Sequence, residues 1–198
     1  MLNHAFHHRS RALENEFFRR VDHELVVKVQ EQYPLEVDED ALAIACGICD
    51  RKLLDELLAA EITPKTLTAL SLLPAVYVAW ANGYVEAVER KAVLDAAHSV
   101  GVCEGTPAYE LLECWLKLRP TDRLIEAWKE FIHASRPTLS VDAFRQLRDS
   151  AMTRARDIAS AAGGFLGIGS VSAMEKAALM ELEGVFTHAA KSEAPATT

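Results

Sequence analysis

Gly83-x-Val85-x-Ala87-x-Glu89 returns further along the chain as Gly169-x-Val171-x-Ala173-x-Glu175, and a basic residue follows each glutamate, Arg90 in one copy and Lys176 in the other. Glycine reaches backbone conformations that other residues avoid, so each copy reads as a glycine turn that leads into a helix start. A motif repeated in this way predicts two related helix–turn–helix units in one fold.

The rest of the chain reads as a row of helices. Leu13, Phe17, Val21, Leu25 and Val29 recur every four residues, with Phe18 alongside, which predicts an amphipathic helix from about Ser10 to Gln32, ended by Pro34. Asp38 can cap a short helix closed by Gly47, and Asp50 can cap the next, whose apolar stripe is Leu53, Leu54, Leu57 and Leu58. Thr63-Pro64 reads as an N-cap followed by proline at the first helical position. That helix carries Leu67, Leu70, Leu73, Val76, Tyr77 and Trp80, with a kink or break expected at Pro74. After the Asn82-Gly83 turn, Val88, Ala92, Val93, Ala96 and Val100 are the expected buried face, and Gly101 the end.

Thr106-Pro107, Thr121 and Ser140 open three further helices, the last running to Gly163-Gly164. Ser172-Ala173-Met174-Glu175 is a capping box at the head of a final helix bearing Leu179, Leu182, Val185 and Phe186. No segment alternates apolar with polar residues. The expected fold is therefore all-α, a compact bundle of about seven to nine helices with an internal pseudo-repeat of helix–turn–helix units. Residues 1–62 are expected to form an N-terminal helical segment packed on a core domain of residues 63–190, with a disordered tail at 191–198.

Half of the residues are hydrophobic and the formal net charge is −8. So acidic a chain has no general electrostatic reason to bind nucleic acid or an anionic membrane. Arg145, Arg148, Arg154 and Arg156 share a helix with Asp149 and Asp157 and read as a solvated face. No signal peptide and no apolar run of roughly 18 residues is present, so no membrane span is expected. Four cysteines do not suggest a disulfide scaffold, and a reducing, cytoplasmic setting is expected.

Ala79-Trp80-Ala81-Asn82-Gly83-x-Val85-x-x-x-Glu89-Arg90 resembles the signature of the tellurite-resistance TerB-like family, whose domain also forms the N-terminal part of DjlA-type co-chaperones. Ala12-Leu13-Glu14-x-x-Phe17-Phe18, Pro107-Ala108-Tyr109-Glu110-Leu111-Leu112 and Gly163-Gly164-Phe165-Leu166-Gly167 resemble bacterial TerB-like proteins of unknown function. The core resemblance covers roughly Thr63 to Phe186. It implies a helical domain associated with metal and tellurite stress, with divalent cations held by acidic residues. Asn82 stands where the family has aspartate, and Ile168 at the matching place of the second copy is not acidic. No His-Pro-Asp follows, so the co-chaperone activity does not transfer.

The candidate site is Asn82, Glu86, Glu89 and Glu175. If the two units pack about a pseudo-two-fold axis, the two helix starts approach each other and these groups can hold Ca²⁺ or Mg²⁺, although Ca²⁺ takes roughly 6–8 oxygens. The simpler account is capping, because glutamate at the third helical position reaches back to the cap. Cys46-Gly47-Ile48-Cys49 lacks the strand of a thioredoxin-like site and the second ligand pair of a zinc site, and reads as small buried side chains about a helix C-cap. His4, His7 and His8 read as a frayed terminus, Asp22-His23-Glu24 as a polar face, and His98 and His133 as isolated histidines.

The loop Gly163–Gly169 follows a helix and lacks Lys-Ser/Thr, which excludes a P-loop; its apolar residues tuck into the core or dock a partner. No nucleophile elbow or His-Glu-x-x-His is present. The chain is expected to be a non-catalytic cytoplasmic module that binds a protein partner, with a weak divalent-cation site. A metal-dependent helical enzyme using His23, Glu24 or the repeat glutamates, and a structural dimerising bundle, are the alternatives.

Overall fold

The structure is a computed structural model that describes residues 39–162 and 171–191. The expectations for the helix over Ser10–Gln32, the cap at Asp38, the N-terminal histidines, Asp22-His23-Glu24, the loop Gly163–Gly169 and the tail beyond Lys191 lie outside those residues. Among the described residues there are nine helices and no strand: α1 Glu39–Cys46, α2 Arg51–Ala59, α3 Leu67–Leu70, α4 Leu73–Ala79, α5 Ala87–Ser99, α6 Pro107–Lys117, α7 Asp122–Ser135, α8 Val141–Ala162 and α9 Ala173–Lys191. None of these helices is long and apolar enough to cross a membrane.

Side-chain oxygens start the helices where the sequence places them. Asp50 accepts from the Leu53 N–H, Thr106 from Tyr109, Thr121 from Leu124 and Ser140 from Ala143. Each bond satisfies one of the orphan donors of a helix N-terminus. Gly47, with φ +71°, ends α1 by donating its N–H to the Ala43 oxygen at 2.8 Å.

Thr63-Pro64 departs from expectation. It opens a turn, and α3 starts only at Leu67. The Thr66 hydroxyl captures the local groups, donating to the Glu61 oxygen at 2.7 Å while accepting the Thr63 N–H at 2.8 Å. Side-chain bonds of this kind compete with helix formation. The expected break at Pro74 falls just before it, between α3 and α4, and leaves the proline within the first turn of α4.

Helix α8 organises the bundle. It packs against α4, α5 and α9, while α9 also lies on α4 and α7. The neighbour relations are preserved when the hairpin α4–α5 is exchanged with α8–α9. Helix α4 meets α8, α5 lies on α8 as α9 lies on α4, and each hairpin packs on itself. That is the pattern of a pseudo-two-fold arrangement. One hydrophobic core runs through the described residues, from Leu42, Leu54 and Leu57 to Val76, Leu112, Met152 and Phe186, so residues 39–62 share it with the later helices.

Directional contacts fix the packing. The Phe186 ring meets Trp128 and Phe144 edge-on, each at 5.9 Å between centroids, joining α7, α8 and α9. The Trp80 indole N–H donates to the Trp115 oxygen at 2.8 Å and ties the end of α4 to α6. The Tyr77 hydroxyl donates to Glu181, which also accepts from Lys129, so α4, α7 and α9 are clamped at the surface. Burial, and then the bond to Glu181, push the Tyr77 phenol up to about 12, keeping it a donor at any physiological pH.

Helices α2 and α5 end in the same motif. Ile62 N–H bonds to Leu57 O and Glu61 N–H to Leu58 O after α2, as Val102 does to Ala97 and Gly101 to His98 after α5. The left-handed position is Gly101 in one case (φ +81°) and Glu61 in the other (φ +65°). A side chain at such a position costs on the order of 1 kcal/mol relative to glycine. Glu61→Gly is therefore expected to stabilise the protein by about 0.5–1 kcal/mol, and Gly101→Ala to destabilise it by a similar amount. Thermal melts of the two variants check both signs.

Candidate functional site

The helix starts of the two repeat units are joined. The Ser172 hydroxyl donates to the Asn82 side-chain oxygen at 3.0 Å, joining the cap of α9 to the turn before α5. Gly83 makes that first turn possible with φ +87°, and its N–H bonds to the Trp80 oxygen. Glu89 and Glu175 are both the third residue of their helices. Glu89 Oε2 accepts the Glu86 N–H at 2.7 Å, and Glu175 Oε2 accepts the Ser172 N–H at 2.6 Å. In α9 the box is reciprocal, since Ser172 Oγ accepts the Glu175 N–H at 3.1 Å. The capping role expected of both glutamates is thus present in the same form twice.

Capping does not account for their burial. Ordinary capping glutamates sit in water, whereas Glu89 is 1% exposed and Glu175 is 2% exposed. On α5 the buried line is Glu89, Val93 and Ala97. Val88, expected in the core, is instead 40% exposed. Val88, Ala92 and Ala96 have the same four-residue spacing, so spacing does not choose between the two lines; the packing of α5 on α8 turns Glu89, Val93 and Ala97 inward. On α9, Glu175 likewise heads an inward line that continues through Ala178 and Leu182.

Each glutamate has one oxygen engaged and one idle. Oε1 of Glu89 and Oε1 of Glu175 are both buried with no hydrogen-bond partner among the described residues. An unmet buried acceptor costs about 1–3 kcal/mol, and more when it carries charge. Burial pushes the Glu89 carboxyl up to about 7; the Glu86 N–H bond pulls the other way, and the negative charges of Glu175 and Glu86 add to the rise. The pair therefore attracts positive charge, and a proton on Glu89 is the smallest that serves.

Glu89 and Glu175 lie close enough for their charges to interact, Asn82 reaches the α9 cap through Ser172, and Glu86 stays at the rim as the half-exposed residue before α5. No group of three or more histidine, cysteine or acidic side chains suited to a metal ion occurs among the described residues. Cys46 is half-buried and Cys49 exposed, so the expectation of two small buried side chains is corrected. Ile48 stays in the core after Gly47, and the next residue, Cys49, comes to the surface ahead of the Asp50 cap. His98 and His133 are exposed, and His98 leans on the Tyr109 ring at 6.0 Å between centroids.

Arg154 departs from the expected solvated face. It is half-buried and donates from Nη2 to the Ser71 main-chain oxygen at 3.3 Å, and its Nε has no partner among the described residues. The signal was its spacing from Leu147 and Ala151, which places it beside the buried stripe of α8.

Comparison with known proteins finds no family model, no curated protein and no solved structure that matches this chain.

An acid whose folded pKa lies above its unfolded value holds its proton more tightly in the folded state. The stabilisation by protonated Glu89 is full below about 4.5 and is lost as the pH rises through about 7. Glu89→Gln keeps an acceptor for the Glu86 N–H and removes the charge. Above pH 7 it is expected to be more stable than wild type by on the order of 1–2 kcal/mol, with a flatter stability profile between pH 5 and pH 8. Denaturant unfolding of both proteins across that range checks it. A wild-type profile no steeper than that of the variant contradicts it.

Proposed function

We propose that this chain is a non-catalytic helical module of the TerB-like type that acts in the cytoplasm by binding a partner protein, with the Glu89–Glu175 pair as a weak divalent-cation site that modulates it. The observation that carries the reading is the pair of buried, idle carboxylate oxygens at the joint between two matching helix starts. Structural capping needs only one oxygen from each glutamate. The second oxygen of each remains for a proton or a cation.

The donor set fits a cation in charge and is short in number. Glu89 and Glu175 would hold the ion, the Asn82 amide oxygen, which accepts from Ser172, would turn to join them, and water would complete the shell. Such an ion must displace the proton on Glu89, so loading is tighter at higher pH. Exposed apolar side chains occupy equivalent places beside the pair, Val88 immediately before Glu89 and Met174 immediately before Glu175, with Tyr84 on the adjoining turn. Matched apolar residues at the surface of a joint suit a protein contact. The net charge of −8 argues against nucleic acid, and four free thiols suit a reducing compartment. Asn82 in place of the family aspartate fits a weakened cation site and leaves the link to metal or tellurite stress resting on the resemblance.

Titration calorimetry with Ca²⁺, Mg²⁺ and Zn²⁺ at pH 6 and pH 8 tests the cation clause. A dissociation constant on the order of 10⁻⁴–10⁻³ M, tighter at pH 8 and lost in Glu89→Gln, is expected. Absence of heat at both pH values removes the clause. For the partner clause, Val88→Asp with Met174→Asp is expected to lose a protein that the wild type retains on an affinity column, at unchanged melting temperature. Identical captured proteins would overturn it.

A further inference from the structure

A cleft of about 180 Å³ lies between α7, α8, α9 and the corner where α3 gives way to α4. Its wall is almost wholly apolar, with Leu70, Pro74, Trp128, Leu147, Ala151 and Phe186 among its residues and Ser71 as the one hydroxyl. An engineered cavity of about 150 Å³ lined by such side chains takes up benzene, whereas drug-sized ligands need roughly 300 Å³ or more. The space therefore suits a single aromatic ring or a short alkyl chain, and is too small for a nucleotide.

Arg154 stands next to this cleft. Leu147, Ala151 and Arg154 follow one another at the spacing that keeps side chains on one helix face. Its Nη2–H donates to the main-chain oxygen of Ser71, the polar residue of the wall. Arg145, Arg148 and Arg156 on the same helix each hold a carboxylate, of Asp142, Asp149 and Glu183 in turn. Arg154 has no carboxylate among the described residues, its Nε–H is buried without an acceptor, and burial lowers its pKa. A half-buried guanidinium without an anion is a costly arrangement that a bound carboxylate relieves.

We propose that this cleft binds a small carboxylate with an apolar body, a benzoate-sized aromatic acid or a short alkanoate, its ring or chain against Trp128 and Phe186 and its carboxylate on Arg154. The apolar wall selects against acids with a second charge. The guanidinium selects against uncharged analogues. Nothing in this site depends on the joint between Glu89 and Glu175.

The indole N–H signal of Trp128 in the full chain, followed by NMR during titration with benzoate and separately with benzyl alcohol, tests the proposal. Benzoate is expected to give a saturable shift, and benzyl alcohol to bind about ten-fold or more weakly, the worth of one charge-assisted hydrogen bond. Arg154→Met should bring the two affinities to within about two-fold of each other, because only the charged contact is lost. No saturable benzoate shift, equal affinities in the wild type, or benzoate affinity unchanged in Arg154→Met would each overturn the proposal. The wild-type comparison of the two ligands decides it if the variant does not fold.

Discussion

Two carboxylates share the place where two helices begin, and much of the arrangement follows from the need to put them there. A glutamate that caps a helix can hang in water at no cost. Here the capping bonds hold Glu89 and Glu175 at the third helical position, and the inward stripes of α5 and α9 carry both below the surface. The backbone donors at the caps answer one oxygen of each. The remaining oxygens face a low-dielectric interior, where like charges repel strongly. A joint of this kind favours a proton on Glu89, which makes it responsive to pH in a way that an apolar joint is not.

Helix α8 supplies the other constraint. It touches both members of the first hairpin and its own partner α9, so neither hairpin has a complete core without it. The aromatic contacts of Phe186 with Trp128 and Phe144 and the clamp of Tyr77, Glu181 and Lys129 act on the same elements from inside and outside. Where α8 passes the α3–α4 corner, the packing leaves room, and Arg154 lies beside it.

The local rules were readable in the residues. Asp50, Thr106, Thr121, Ser140 and Ser172 announce their helices through short-range bonds that need no knowledge of the rest of the chain, and the glutamates three residues after Glu86 and Ser172 announce their own capping. Much of what sequence left open was set by long-range packing. The stripe of α5 could be drawn through Val88 or through Glu89, and hydrophobicity alone favoured the wrong choice. Arg154 shares a charged helix with Asp149 and Asp157 as its neighbouring arginines do, yet its side chain reaches the corner at Ser71. Thr63-Pro64 carries the signature of a helix start, but the hydroxyl of Thr66 reaches Glu61 first. In the first two cases a tertiary contact overrode a pattern that was locally sound, and in the third a competing local bond did.

The hydrogen bond between Asn82 and Ser172 spans 90 residues of sequence. During synthesis the first turn leaves the ribosome long before its counterpart exists, and α5 has no α8 to cover it. Glu89 is then hydrated and ionised like any surface acid. Once α8 covers α5 and Glu175 comes near, the Glu89 carboxyl loses water and holds a proton more tightly, so closing the fold is coupled to proton uptake.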